Sequence, residues 1–264
     1  MLHEYDNLDA KYFQYANDIL SGKIISNEYI KLACQRYLSW FDREDLYFDS
    51  EKVEKKINFV YRMKHWDGAL AGHNFKLLPW QHWCFCNIFG WYYRGTDKRV
   101  TRNVFIFIGR KNGKTSLAAA ICLACMCKDD EVGCEVDLIS NSRKQASIAY
   151  EDCANYAKSL DPKQKYLKVY RDSIKFTKTN SKLQVLSSDV MKLDGYRGHG
   201  VCVDEFHAQK DWKLYSVMKT SQGAQRNPLM IVITTAGYLG AGYPCYDMRE
   251  ACIQVLKGEK NNDG

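Results

Sequence analysis

The stretch from Val104 to Ala119 constrains the fold of this 264-residue chain more than any other part of the sequence. Apolar residues up to Ile108 predict a buried strand, and a run of good helix formers follows Thr115. Between them, residues 109–115 read Gly-Arg-Lys-Asn-Gly-Lys-Thr. Glycine lets successive backbone N–H groups surround an anion, and the positive end of the following helix faces the same point. The stretch therefore predicts a phosphate-binding loop.

The lysine and the threonine of this loop have distinct expected roles. Lys114 would reach the β and γ oxygens of a nucleotide, and Thr115 would place its hydroxyl on Mg²⁺. The usual pattern has four residues between its two glycines, whereas three separate Gly109 from Gly113, so Ile108 occupies the first-glycine position. The alternative is a lysine near an ordinary helix start, and the context has to decide between the two.

Two adjacent acidic residues provide that context. Residues 201–203 predict a buried strand that ends in Asp204 and Glu205, 89 positions after Thr115. Because the carboxyl ends of parallel strands share one edge of a sheet, both carboxylates are expected beside the loop. Asp204 would hold Mg²⁺ and Glu205 would orient or deprotonate the attacking water. A pair that merely caps the next turn is the alternative, but in this order the motifs predict a P-loop NTPase.

The predicted fold is α/β, an ASCE or RecA-like P-loop NTPase with a mainly parallel central sheet flanked by helices. Residues 1–64 show helical periodicity and predict a small N-terminal helical subdomain, residues 65–245 the ATPase domain, and residues 246–264 a C-terminal helix and linker. A hairpin is predicted from strands 173–177 and 182–187. The strand 229–234 ends in Thr234 and Thr235, whose hydroxyls either sense the γ-phosphate or belong to a turn.

Composition narrows the class of protein. The chain has 38 basic and 31 acidic residues, a net charge of +7, which permits contact with polyanions. Eleven cysteines lie mostly within apolar runs and are predicted to be reduced thiols, and zinc binding by Cys122 and Cys125 is disfavoured without further ligands. The longest strongly apolar run, residues 117–127, is shorter than the about 20 residues of a membrane-spanning helix, so no membrane association is predicted.

The segment before the phosphate loop has two readings. Residues 77–91 predict a helix with Pro79 near its first turn, and Gln81 is placed either to bond adenine through its amide or simply at the surface. Residues 94–102 carry four basic residues against one acidic residue. A solvated connection is favoured there over a phosphate-facing edge.

With these residues in place, the chain resembles the ATPase portion of the large terminase subunit of tailed bacteriophages, the motor that packages DNA into proheads. The stretches that carry the resemblance are residues 77–81, 110–115, 193–207, 227–228 and 233–237. Phosphate loops of this family commonly lack the first glycine, as this one does.

The resemblance implies a role for each matching residue. Arg110 matches an arginine finger acting in cis, and Glu205 matches the catalytic glutamate. Thr115 and Asp204 match the Mg²⁺ ligands, and Thr234 and Thr235 match a coupling motif. An arginine finger from a neighbouring subunit is expected at Arg143, with Arg197 and Arg226 as alternatives. The implied ATP-binding residues are Gln81, Gly109, Arg110, Lys111, Asn112, Gly113, Lys114 and Thr115.

The resemblance also implies cofactors and partners. ATP and Mg²⁺ are expected, together with double-stranded DNA, a portal protein, a small terminase subunit, and a homo-oligomeric ring assembled during packaging in the host cytoplasm. Large terminases usually carry a C-terminal RNase H-like nuclease that these 264 residues lack, so no nuclease activity is expected, and either truncation or a split gene would account for it. The hairpin tip at residues 178–182 is a candidate contact for DNA or a neighbouring subunit.

The sequence is also compatible with other functions. Residues 204–207 also spell the D-E-x-H motif of superfamily 2 helicases, and residues 234–236 are loosely similar to their third motif. Such helicases need a second RecA-like domain, which about 30 residues after Thr234 cannot form. A nucleotide-binding assembly switch is a further alternative, although it would not need a base at Glu205. A small-molecule kinase is disfavoured because no lid of arginines is visible.

Overall fold

A computed structural model describes residues 8–186, 197–238 and 240–261, apart from the side chain of Arg143. The chain forms two compact units. The described part of the first comprises residues 8–57, 77–102 and 250–261, and that of the second comprises residues 58–76, 103–186, 197–238 and 240–249. This division differs from the linear boundaries predicted at residues 64 and 245, because residues 77–102 and 250–261 pack with the N-terminal residues.

The first unit is mostly helical, as the periodicity of the sequence predicts. Its helices and strands are α1 Gln14–Leu20, α2 Glu28–Ser39, β1 Leu46–Phe48, most of α3 Ser50–Val60, α4 Pro79–Phe89 and β2 Trp91–Tyr93. Asn27 caps α2, since its side chain accepts a hydrogen bond from the backbone of Ile30. Strands β1 and β2 pair antiparallel, and neither of them was predicted from the sequence.

Aromatic side chains form the core of the first unit. Trp91 is fully buried at its centre. Its ring centroid lies 4.5 Å from that of Phe41, 5.3 Å from Phe48 and 5.6 Å from Trp40. The ring planes are inclined by 68° to 85°, the edge-to-face arrangement that the quadrupoles of aromatic rings favour. These contacts bring β2 and the residues around β1 into one core.

The basic segment 94–102 is exposed at residues 94–98, as expected of a solvated connection, but Arg99 and Val100 are buried. Arg99 is almost fully buried, with its guanidinium 5.5 Å from the ring centre of Phe89. Arg94 donates hydrogen bonds to the backbone carbonyls of Glu44 and Leu46 at 3.1 and 3.0 Å. Guanidinium groups can satisfy backbone acceptors and pack on aromatic faces, so basic residues here contribute to the packing of the first unit.

A seven-stranded sheet organises the second unit. Its strand order is β3-β9-β8-β4-β7-β6-β5. The strands are β3 Asn103–Phe107, β4 Glu135–Ile139, β5 Leu167–Val169, β6 Ser173–Phe176, β7 Ser181–Val185, β8 Gly198–Asp204 and β9 Leu229–Thr234. The helices are α5 Lys114–Lys128, α6 Arg143–Leu160, α7 Lys213–Ser221 and α8 Pro244–Leu256, of which α8 continues into the first unit.

Five of the seven strands, from β3 to β7 in this order, pair in parallel. Strands β8 and β9 are buried at every position, which fits the apolar runs 201–203 and 229–233 within them. Strands β7, β6 and β5 pair antiparallel, so the predicted hairpin is confirmed, whereas β5 had not been predicted. The α/β fold with a mainly parallel sheet flanked by helices is also confirmed.

The state of the cysteines and the character of the helices can be compared with what the composition predicted. All eleven cysteines lie in the described part of the chain and none forms a disulfide. Burial raises the pKa of most of these thiols, among them Cys127 and Cys153. Within residues 8–186, 197–238 and 240–261, no helix has the length and apolar character needed to cross a membrane.

Replacing Trp91 by alanine should destabilise the first unit by about 3–5 kcal/mol, because the change leaves a large cavity among the surrounding rings. Urea unfolding followed by far-UV circular dichroism measures this effect. Ile25→Ala is the control: this side chain is 98% exposed, so its loss should change the free energy of unfolding by less than about 0.5 kcal/mol. Similar unfolding midpoints for both variants would contradict the proposed core.

Candidate active site

The loop between β3 and α5 has the backbone of an anion-binding site. Lys111 and Gly113 have φ angles of 62° and 69°, in the left-handed region. Glycine adopts this conformation without strain, whereas a lysine does so at a cost, and such strain is concentrated at functional sites. The side-chain amide of Asn112 donates to the carbonyls of Gly109 and Arg110, both at 3.1 Å, and holds the loop closed.

Side chains of the loop differ in exposure. Lys114 begins α5 and is buried, Thr115 is half-buried, and Arg110 is exposed together with Lys111 and Asn112. The first turn of a 15-residue helix and a buried lysine therefore act on the same region. This arrangement suits the phosphate groups of a nucleotide, with Arg110 on the solvent side.

Asp204 is the last residue of β8 and is buried. Its backbone carbonyl accepts a hydrogen bond from the Ser140 hydroxyl at 3.1 Å, and its Oδ1 accepts one from the backbone N–H of Glu205 at 2.8 Å. Burial raises the pKa of Asp204 to about 6, and the neighbouring Lys114 opposes this shift. A cation bound at this carboxyl would favour its ionised form.

Glu205 leaves the strand in a left-handed conformation, with φ at 53°. Its side chain extends to two basic groups: Oε1 lies 3.5 Å from the Lys114 Nζ, and Oε2 lies 3.1 Å from Nδ1 of His207. The loop lysine and the predicted catalytic carboxylate are therefore direct neighbours.

His207 connects Glu205 to the end of β9. Its backbone N–H donates to the hydroxyl of Thr234 at 2.9 Å, and its Nδ1 lies 3.2 Å from the same oxygen. A carboxylate only accepts hydrogen bonds, so contact with Glu205 assigns the proton to Nδ1. The Thr234 hydroxyl in turn donates to the carbonyl of Thr235 at 2.9 Å. Lys114, Glu205, His207 and Thr234 thus form one continuous polar network.

The sequence pattern assigned His207 no role, although the residue lies within one of the motifs. Sequence spacing alone does not reveal the contact, because 27 positions separate His207 from Thr234. Gly237 supports the arrangement: a Cβ at this position would lie 2.7 Å from the Cβ of His207, so only glycine fits without moving the histidine. Thr234 and Thr235 are both buried, and Thr234 is the last residue of β9.

Thr115 and Asp204 have the donor chemistry for Mg²⁺. This ion prefers hard oxygen ligands, keeps several waters, and is commonly held by one or two protein groups together with substrate phosphates. A buried carboxyl with a raised pKa and a hydroxyl in the first turn of α5 fit that requirement. In the described part of the chain, no group of three or more His, Cys, Asp and Glu side chains forms a separate metal cluster, Cys122 and Cys125 included.

Residues 79–252, about two thirds of the chain, match the family model described as terminase large subunit, ATPase domain. The chain belongs to this family. Two curated relatives named terminase large subunit, from Lactococcus phages p2 and SK1, are 24% and 25% identical over 224 and 228 residues. The match covers 81% of this chain and 41% of each relative, so the chain spans about two fifths of their length.

The chain is also similar to a short stretch of another protein and to a solved structure. Protein YmfN of Escherichia coli (strain K12) is 49% identical over 70 residues, which cover 26% of this chain and 15% of that protein. The crystal structure of the HK97 bacteriophage large terminase superposes with a TM-score of 0.63 at 23% identity, over 78% of this chain and 42% of that one. This likeness supports the fold of a terminase ATPase domain.

Gln81 belongs to the first unit. It is buried, so the alternative that it is a surface glutamine was wrong. Its Oε1 accepts a hydrogen bond from the backbone N–H of Leu78 at 2.9 Å, at the start of α4. Contact with adenine through this oxygen would have to share that bond, and the adenine role stays a prediction.

The position of the expected trans arginine remains a prediction as well. Arg143 is the first residue of α6, but its side chain lies outside the described part of the structure. Of the alternatives, Arg197 and Arg226 are both exposed. Residues 193–195, which contribute to the terminase resemblance, also lie outside the described residues.

Asp204→Asn should make the free energy of unfolding less dependent on pH. The carboxyl pKa is about 6 in the folded chain and 3.8 for an unperturbed aspartate, so the folded state binds the proton more tightly. Its stabilising contribution is present below about pH 4 and is lost as pH rises through 6. As pH rises from 4 to 7, the free energy of unfolding of the variant should increase by roughly 3 kcal/mol relative to that of the wild type. Urea unfolding at several pH values measures this difference, and a constant difference would contradict the assignment.

Proposed function

We propose that this terminase ATPase domain hydrolyses ATP between the residue 109–115 loop and Glu205, and that hydrolysis drives duplex DNA into a prohead. The observation that carries the proposal is the contact of Glu205 with both Lys114 and His207, which joins a phosphate loop, a carboxylate base and the end of β9. A protein that only binds nucleotide needs the loop but not the base.

Binding of the nucleotide uses the loop backbone and Lys114. The N–H groups at the start of α5 surround the phosphates, and Lys114 exchanges Glu205 for a γ-phosphate oxygen. Thr115 and Asp204 would hold Mg²⁺, which would neutralise charge on the phosphate oxygens. Gln81 contacts adenine in this proposal, as the family resemblance implies.

Hydrolysis then depends on Glu205 and Arg110. Glu205 orients a water molecule for in-line attack on the γ-phosphorus and accepts its proton as the bond to the ADP oxygen breaks. Arg110, exposed on the loop, stabilises the charge on the transferring phosphoryl group in cis. An arginine of the neighbouring subunit, with Arg143 as the first candidate, completes the site in a ring.

His207 acts as a positioning residue that connects hydrolysis to β9. It holds Glu205 through Nδ1 and Thr234 through its backbone N–H. When Glu205 moves towards water or phosphate, the bond to His207 changes, and Thr234 and Thr235 sense the change. We infer that this is how the coupling residues respond to the state of the nucleotide.

The remaining partners follow from the family. Double-stranded DNA, a portal protein and a small terminase subunit are the proposed partners of a homo-oligomeric ring in the host cytoplasm. No nuclease activity is assigned to these 264 residues. The D-E-x-H motif and the contact of His207 with Thr234 also suit a superfamily 2 helicase, and the response of hydrolysis to duplex and to single-stranded DNA distinguishes the two functions.

Glu205→Gln should retain MgATP binding and lose turnover by about two orders of magnitude or more, because glutamine cannot accept the proton. The measurement is steady-state ATP hydrolysis at increasing protein concentration, with and without duplex DNA. Turnover per subunit that rises with concentration or duplex supports a ring motor.

Stimulation by single strands alone would favour the helicase. Tight ATP binding without hydrolysis in the wild type, also with DNA, would favour an assembly switch. Unchanged turnover in Glu205→Gln would remove this residue from the mechanism.

His207→Ala should lower kcat about tenfold or more with little change in ATP affinity, because Glu205 loses its orienting partner. Gly237→Ala should have a similar, smaller effect, since the added methyl group displaces His207 without removing it. His73→Ala, at an exposed histidine, is the control and should behave as the wild type. Normal kcat in both His207→Ala and Gly237→Ala would exclude the positioning role.

A further inference from the structure

Residues 163–182, which include β5, β6 and the start of β7, form a segment of unusual charge that we call the basic extension. They contain seven basic residues and one acidic residue. The other 244 residues contain 31 basic and 30 acidic residues. Almost the whole net charge of the chain is therefore concentrated here. The seven basic residues are Lys163, Lys165, Lys168, Arg171, Lys175, Lys178 and Lys182.

Three of these lysines form a row across the strands. Lys168 on β5 is directly opposite Lys175 on β6, which is directly opposite Lys182 on β7. Residues paired in register project from the same face of a sheet. Because neighbouring strands lie about 4.8 Å apart, the row is roughly 10 Å long. The neighbouring positions Ile174 and Leu183 are buried, so the lysines occupy the opposite, solvent-facing side.

The lysine row is electrostatically unfavourable by itself. Like charges directly opposite one another destabilise a sheet. Lys182 is partly neutralised by Glu135 on β4, at 3.3 Å. Lys168 and Lys175 are exposed. A bound polyanion would remove this repulsion.

The backbone beneath the row is held in place. The hydroxyl of Tyr150 on α6 lies 2.6 and 2.7 Å from the carbonyls of Tyr170 and Ser173, at the turn between β5 and β6. The carboxylate of Asp161 accepts hydrogen bonds from the N–H groups of Tyr166 and Leu167. An ordered surface loses less entropy on binding than a flexible basic tail.

Tyr166 helps to decide which polyanion fits. The ammonium of Lys178 lies 4.4 Å from its ring centre and that of Lys165 lies 5.1 Å away. These contacts compete with a nucleic-acid base for the face of the ring, and base stacking contributes about 1–3 kcal/mol per base to the binding of single strands. Lysines that face solvent favour contact with a phosphate backbone instead.

We propose that the basic extension binds the phosphate backbone of duplex DNA through Lys168 and Lys175. Duplex DNA carries one charge per about 1.7 Å of its axis, so a 10 Å row faces several phosphates. Strand β5 is at one edge of the sheet and β3, which precedes the phosphate loop, is at the other. This surface is therefore separate from the nucleotide loop. The inference rests on the proposed function, since it names the surface that contacts the DNA.

The test is Lys168→Glu combined with Lys175→Glu, compared with Lys31→Glu combined with Lys257→Glu, an exposed pair whose charge change is identical. Fluorescence anisotropy with a labelled 30-base-pair duplex measures affinity over a range of KCl concentrations. Duplex affinity should fall at least tenfold in the first pair. The negative slope of log K against log salt should become shallower by about 2, because two phosphate contacts are lost. The control pair should stay within about twofold of the wild type.

Several outcomes would overturn the inference. Equal loss of duplex affinity in both pairs would indicate a general charge effect. If the wild type bound a single strand more tightly than duplex, and the first pair lost that binding, the ligand of this surface would be single-stranded DNA. Loss of binding to polyglutamate, with duplex binding intact, would indicate an acidic protein partner.

If the reversal variant does not fold, Lys168→Gln combined with Lys175→Gln should show a smaller loss of duplex affinity. Hydrolysis without DNA should equal the wild type in every folded variant. Loss of this basal activity without loss of duplex binding would count against the surface assignment. Absence of duplex binding by the wild type would instead contradict the proposed function.

Discussion

Parallel pairing of β3, β9 and β8 is the constraint on which the candidate site depends. Phe107 is opposite Thr234, and Asp204 is opposite Ile233, so the three strands end almost level. The backbone N–H of Ile108 continues the pairing by donating to the carbonyl of Thr234 at 3.1 Å. Because β9 lies between the other two, any shift of its end affects both the phosphate loop and the acidic pair. The network through His207 is a consequence of this strand order.

The site contains features that are unfavourable for folding. Lys111 and Glu205 have left-handed backbones without being glycines, and Asp204 is buried with a raised pKa. Strained backbones and buried charges cost free energy, and proteins retain them mainly where function requires them. The apolar side chains of β8 and β9 offset these costs, since both strands are buried along their whole length. The apolar side chains of β8 and β9 therefore stabilise the fold, and the polar residues at the ends of the same strands form the candidate site.

Charged side chains are unevenly distributed over the seven-stranded sheet. The parallel part of the sheet ends in the acidic pair, whereas the antiparallel edge carries the lysine row. Outside the basic extension, acidic and basic residues are nearly equal in number. An electric field with one dominant positive region orients a polyanion before contact. The phosphate loop thus follows one edge strand, β3, whereas the lysine row reaches β5 at the other edge of the same sheet.

The sequence by itself determined the local structure and the chemical types of the site. The apolar run before Gly109, the glycine and lysine of the loop, and the acidic pair after β8 predicted the α/β fold and a phosphate loop beside two carboxylates, because strand and helix periods are local properties. Only the tertiary structure decided that His207 connects Glu205 with Thr234, that Arg99 is buried, and that three lysines form a row. These contacts join residues from separate elements, and strand order and register, which depend on the packing of the whole sheet, determine them.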